Sequence, residues 1–264
     1  MTGVRLLALI AIFFATSSVS VITGSTSIIT VPAMFQFGID SRVAVATNMF
    51  ALTLMSFGGT LSFLLPPVVN RRRLPLLIVL TLLGSAAGAV LLLVISPGAI
   101  PVIVSTAIIG VALFSVVYRR SVAEASLVPP SRTLETVGYI ATFILGIYGG
   151  LFSGGYVTIL TATLVAMFRM SFLEAIATTK LINIFSSGIA TIIFMRRGIV
   201  DYRLGMILGV TMFVGALLGG KFARRLGDVW LRRIYLAAVW LLGLKTLIDV
   251  FNAGHHERPL FDKR

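Results

Sequence analysis

Cysteine is absent from the 264 residues. The chain therefore has no disulfide framework, no thiolate nucleophile and no sulfur-ligated metal. Histidine is nearly absent: the only two, His255 and His256, lie in the polar tail. An intramembrane Ser–His pair or a His-ligated zinc has no residues to use. No H-E-x-x-H and no Walker A pattern occurs, so peptide cleavage and ATP hydrolysis by those chemistries are excluded. Acidic residues are scarce, nine against 22 Lys and Arg. Within apolar spans they reduce to Glu174 near a helix start and Asp249 near a helix end, which leaves a buried carboxylate proton relay little support. The chain reads as a non-enzyme with no cofactor.

What is present is apolar. Hydrophobic residues make up 58% of the chain and mean hydropathy is +1.03, far above a soluble domain. This is an all-α polytopic membrane protein. The net charge of +13 does not point to nucleic acid. The basic residues fall in short clusters between apolar runs, as expected of loops facing anionic headgroups. The first apolar run is followed by many others and lacks a small-residue cleavage site, so it is read as a retained helix rather than a signal peptide.

The chain divides into a first repeat over 1–118, a polar connection over 119–132, a second repeat over 133–252 and a polar tail over 253–264. In the first repeat, Leu6 to Val21 is followed by a break at Gly24 and a shorter piece, Ile28 to Phe37. Asp40-Ser41 caps the next helix, Val43 to Leu65, which stops at Pro66-Pro67. A basic loop, Asn70 to Arg73, leads to Leu74–Ile95 and then to Pro101–Tyr118, with proline at its start. The second repeat follows the same plan. Thr136 to Phe152 is broken at Gly154-Gly155 and resumes to Phe168. Ser171 and Glu174 have capping-box spacing before a helix over Phe172–Met195. Spans over Leu204–Phe222 and Ile234–Phe251 complete it, with Trp230, Tyr235 and Trp240 as interface anchors.

The repeat is visible on sliding the chain by 131 residues. Gly24 then falls on Gly155, and positions 24–92 cover 155–223 without a gap, with 16 identities in 69 pairs. Matched positions include Thr47 with Thr178, Ser56 with Ser187, Arg72 with Arg203, Gly84 with Gly215 and Gly88 with Gly219. A shared Leu/Ile bias would not align glycines and polar residues. The four-residue spacing of Gly84 and Gly88, and of Gly215 and Gly219, suits close helix packing. Eight apolar segments result, or ten if each glycine-broken run crosses twice. Four crossings per half would make the repeats parallel and five would make them inverted. Broken runs of more than 30 residues are long for one crossing and favour inversion.

The two breaks are the candidate site. Gly149, Gly150, Gly154 and Gly155 each weaken a helix by about 1 kcal/mol relative to alanine. A broken backbone at membrane depth must be buried in protein or line a cavity, and carriers build binding sites this way. Helices restarting at Ser25–Ser27 and at Gly155–Tyr156 would present N-terminal amides to an anion. Gly24, Ser25, Thr26, Ser27, Gly150, Ser153, Gly154, Gly155 and Tyr156 are therefore expected at the site. Hydroxyls that bond back to helix carbonyls one turn earlier are the competing reading. Lys180, beside Thr178, Thr179 and Asn183, is expected to supply counter-charge. A lysine at membrane depth otherwise snorkels to an interface or pairs, here with Glu174. Its counterpart is Met49; Thr47 and Asn48 are the first half's polar candidates.

The residues resemble the TauE/SafE family of membrane permeases over nearly the whole chain. The resemblance rests on Gly149-Gly150-x-x-Ser153-Gly154-Gly155-Tyr156, on Glu174-Ala175-x-Ala177-Thr178-Thr179-Lys180-Leu181, on Gly198-x-Val200-Asp201-Tyr202 and on Gly215-Ala216-x-x-Gly219. The first half departs from it, with Gly24 alone among Thr23, Ser25, Thr26 and Ser27 where the family has a glycine cluster. The resemblance implies transport of a small anion, often sulfur-containing, such as sulfite, a sulfonate or a related organic acid, across the bacterial cytoplasmic membrane. A secondary carrier is expected, with a small anionic substrate and the lipid bilayer as partners and a homo-oligomer left open. An anion channel or a non-transporting accessory protein is the alternative.

Overall fold

A computed structural model describes residues 3–24, 26–62, 72–117 and 130–226, together with 229, 230 and 233. These residues form nine helices: α1 (Gly3–Thr23), α2 (Thr26–Gln36), α3 (Ser41–Leu61), α4 (Leu74–Val94), α5 (Ala99–Val117), α6 (Arg132–Leu151), α7 (Tyr156–Phe168), α8 (Phe172–Arg196) and α9 (Tyr202–Arg225). Side-chain caps set several starts. Asp40 accepts from the backbone N–H groups of Arg42 and Val43, and Ser131, Ser171 and Asp201 each accept from the N–H three residues on. Such caps satisfy donors that a helix start leaves unpaired.

Six helices are long and apolar enough to cross a membrane: α1, α3, α4, α6, α8 and α9. Of the eight apolar segments expected, these account for six and the 19-residue α5 for a seventh; the alternative of ten crossings is not met among the described residues. With 11 and 13 residues, α2 and α7 fall short of the roughly 20 that a crossing needs. Each is instead the returning arm of a hairpin, with α1 or α6 as the other arm. The expected span over Ile234–Phe251 lies outside the described residues, as do Tyr235 and Trp240. Trp230 is exposed and carries the Arg233 guanidinium 5.2 Å from its ring centre.

The most buried spans, α3 and α8, form the centre. Lys180 lies beside Gly59, Asn183 bonds Ser56, and Thr191 bonds Thr53. Numbers rise along α8 as they fall along α3, so the two helices are antiparallel. In contrast, α3 and α9 run parallel: Thr47 meets Asp201, Gly58 meets Phe213, and Ser62 meets Leu217.

Glycines set the outer contacts. A Cβ on Gly84 or Gly88 would strike the Phe143 or Ile147 carbonyl of α6, and one on Gly219 would strike the Ser18 carbonyl of α1. Close helix packing is thus their use, with α4 on α6 and α9 on α1. Outward side chains such as Leu7, Leu83, Val90, Ile140, Ile144, Val210 and Leu218 are exposed, as suits a surface solvated by lipid.

Candidate functional site

The candidate site is organised around two glycines in the left-handed region, Gly24 at φ 77° and Gly155 at φ 78°. Any other residue would be strained there. Gly24 turns the chain from α1 into α2, and its amide donates to the Ser20 carbonyl at 2.8 Å. Gly155 caps α7. Before it, the Tyr148 hydroxyl donates to the Gly154 carbonyl, tying the end of α6 to the turn.

The two turns meet. Thr158, in the first turn of α7, donates its hydroxyl to the Thr23 carbonyl at the end of α1, 2.7 Å away. A Cβ on Gly24 would stand 2.8 Å from the Thr158 nitrogen, and one on Gly154 would stand 3.3 Å from the Ile28 side chain. The N-termini of α2 and α7 therefore lie against each other.

Lys180 reaches this junction from α8. It is 3% exposed, and its Nζ donates to the Ser20 carbonyl at 3.0 Å. Burial rules out snorkelling, and what holds the amine is a backbone carbonyl. Among the described residues no other charged side chain is buried as Lys180 is.

The remaining predicted residues divide. Thr26 donates to the Met55 sulfur at 3.5 Å, and Ser27 accepts from Asn48 Nδ2 at 2.9 Å. Asn48 Oδ1 accepts from Thr30 at 2.8 Å. Asn183 Nδ2 donates to Ser56 Oγ at 2.6 Å, while its Oδ1 is buried without a partner. Thr179 bonds back to the Ala175 carbonyl at 2.6 Å and accepts from Thr161 at 3.2 Å. Ser153 and Tyr156 are buried in the second turn, and the Tyr156 ring packs on Gly149. Thr178 is buried with no hydrogen-bond partner.

Two predicted residues lie apart. Thr47 accepts from the Asp201 amide at 3.0 Å and so secures the start of α9. Gly150 lets α6 pack on the Ser85 backbone of α4. Ser25 lies outside the described residues. Sequence reasoning missed Ser20, Ser56, Gly59, Thr158 and Thr161. Thr158 was within reach, since it aligns with Ser27; Ser20 acts through its backbone, which no side-chain pattern reveals.

Away from the junction a cleft of about 330 Å³ is lined by Leu6, Ile39, Asp201, Arg203, Leu204 and Ile207. It opens beside the starts of α1 and α9.

Comparison with known proteins agrees with this architecture. A "Probable membrane transporter protein" of Haemophilus influenzae is 25% identical over 252 residues, 94% of this chain and 96% of that one. "Probable membrane transporter protein ORF9" of Sinorhizobium sp is 26% identical over 240 residues, covering 89% and 90%. "Probable membrane transporter protein YfcA" of Escherichia coli K12 is 24% identical over 230 residues, covering 86% and 84%. No solved structure matches the chain. The family model for the sulfite exporter TauE/SafE matches residues 8–246, and the chain belongs to that family of membrane transporters.

Proposed function

We propose that the protein is a secondary carrier for a small anion, of the sulfite, sulfonate or related organic-acid class, in the bacterial cytoplasmic membrane. The anion binds where the two glycine turns meet. The observation that carries this reading is Lys180, a buried cation held by a backbone carbonyl instead of a carboxylate. A charge at membrane depth costs about 2.5–3.5 kcal/mol on insertion scales, and a bound anion would offset that cost.

The surroundings fit an anion. The amides at the starts of α2 and α7 favour negative charge. The neighbouring carbonyls that would repel it are already bonded, Ser20 O by Lys180 and Gly24, and Thr23 O by Thr158. Ser56 Oγ can accept from Nδ2 of Asn183 or donate to its Oδ1. The amide can therefore turn its NH2 outward and keep that bond.

On this reading the halves are inverted repeats, each opening with a hairpin that starts and ends on one face, as Leu6 and Ile39 do beside one cleft, and this supports the carrier mechanism. Helices α3 and α8 correspond under the 131-residue shift yet run antiparallel. An axis along the membrane normal would make them parallel; one in the membrane plane makes them antiparallel. The other contacts come in matched pairs. Helix α4 packs on α6 as α9 packs on α1, and Thr30 meets Asn48 where Thr161 meets Thr179. The turns pair across the same axis, Gly24 with Thr158 and Ile28 with Gly154. Carriers of this kind bind substrate near the bilayer midplane at the repeat interface.

The test is uptake by purified protein in liposomes, with hydrogen sulfite, methanesulfonate, sulfoacetate and acetate as probes. Saturable uptake of one of them is expected. Non-saturating conductance would favour a channel, and no flux through folded protein would favour an accessory role.

A further inference from the structure

The 131-residue shift that relates the halves also relates the two ends of the molecule, and there the chemistry differs. At one end the starts of α4 and α6 and the end of α7 are pinned together. The Arg73 guanidinium pairs with Glu135 and donates to the Phe168 carbonyl at 2.9 Å. It also lies 5.6 Å from the centre of the Phe168 ring, and Tyr139 packs edge-on against that ring at 5.0 Å. The corresponding positions are Leu204 for Arg73, Val4 for Glu135 and Phe37 for Phe168. Those three positions carry no guanidinium and no carboxylate; Arg203 and Asp201 of the same end line a cleft, with Asp201 capping α9. At that end lies the cleft bounded by Leu6 of α1, Ile39 of the α2–α3 link and Leu204 of α9.

The two ends lie on opposite faces. The cleft is at the start of α3, where Thr47 meets Asp201. Phe168 lies four residues before the start of α8, and α8 runs antiparallel to α3. One face is thus clamped where the equivalent place on the other face stands open.

We propose that Arg73, Glu135 and Phe168 form the closed end of the carrier and the cleft beside Leu6, Ile39 and Leu204 its open end, with rupture of the Arg73–Glu135 pair letting the closed end open. This rests on the carrier reading. Alternating access requires that matched ends differ in any one state. The pair suits a reversible latch: its side chains are 21% and 29% exposed, and ion pairs that remain in reach of water contribute modestly. The guanidinium binds the arm of the α6–α7 hairpin through the Phe168 backbone. The hairpin that carries Gly155 at its tip is thereby coupled to the latch.

The native chain has no cysteine, so single reporters are clean. Ile39→Cys lines the cleft, and Met170→Cys is its counterpart in the second half, buried at 2% exposure. Each is labelled with a hydrophilic maleimide in detergent-purified full-length protein. The expected result is rapid labelling at position 39 and at least tenfold slower labelling at 170. Glu135→Gln, which keeps shape and removes charge, is expected to raise labelling at 170 at least tenfold. The exchanged pair Arg73→Glu with Glu135→Arg is expected to lower it again. Unchanged labelling at 170 in Glu135→Gln overturns the proposal. So does labelling at 170 as fast as at 39 in the parent. Because labelling needs no substrate, a responsive latch in a protein that carries no anion would leave this inference standing and remove only the anion reading.

Discussion

The two hairpins share one backbone plan and differ in what surrounds it. Each turns at a glycine with φ near 78°, and each short arm bonds the long helix that follows it. Only the second half carries a cation into the junction: Lys180 stands where the first half has Met49. The outer end of its hairpin is tied by an ion pair to Arg73 of the first half. On the proposed carrier reading, the shared backbone forms the path and the unshared side chains decide what travels along it and from which face.

The largest effect that would break this comparison comes from Lys180→Met, which gives both halves the same residue. Loss of a charge-assisted contact of about 1.5–3 kcal/mol predicts roughly a 10- to 100-fold weaker apparent affinity in the uptake assay. The melting temperature should hold or rise, because the substitution removes a buried charge and the Ser20 carbonyl keeps its Gly24 donor. A large fall in stability would instead make Lys180 a structural residue.

Next come the turns. Gly24→Ala and Gly155→Ala each force a left-handed residue, at about 1–2 kcal/mol. Neither turn has room for the added Cβ. That of Gly24 would stand 2.8 Å from the Thr158 nitrogen, and that of Gly155 would stand 2.4–2.9 Å from both methyls and the Cβ of Val111, a β-branched side chain that cannot rotate all three clear. Thermal unfolding in detergent should show a lower midpoint for both, and an unchanged midpoint for either would mean that its turn is loose.

Thr158→Val should cost about 1 kcal/mol by removing the bond between the turns, with a matching fall in the unfolding midpoint. Thr47→Val should have the smallest effect. It should lower stability by at most about 1 kcal/mol and leave substrate affinity unchanged, since Thr47 serves the start of α9. A changed affinity would return Thr47 to the site.

Much of the fold was legible because apolar runs and their polar stops are local. The expected run from Phe172 to Met195 became α8, Phe172–Arg196, and Asp40 and Ser171 cap where their spacing said they would. The glycine turns were legible because a broken run inside lipid needs a reason. That the short arms return without crossing was less so, since hydropathy measures apolarity and not direction. The partner of Lys180 was out of reach. A carbonyl belongs to every residue, so nothing in the letter at position 20 announces it. The Arg73–Glu135 pair joins residues 62 apart, a distance over which no periodicity connects them.

The packing of α9 on α1 has a consequence for how the chain is made. Helix α1 is made well before the helix it packs against. At 5–20 residues per second, the roughly 180 residues between them keep α1 waiting on the order of 10–40 s. Over that interval the α1 face carrying Ser17 and Ser18, which ends against Gly215 and Gly219, has only lipid or the insertion machinery beside it. That contact therefore forms only once α9 has been made, and loss of α9 should leave the Ser17 and Ser18 face of α1 without its partner.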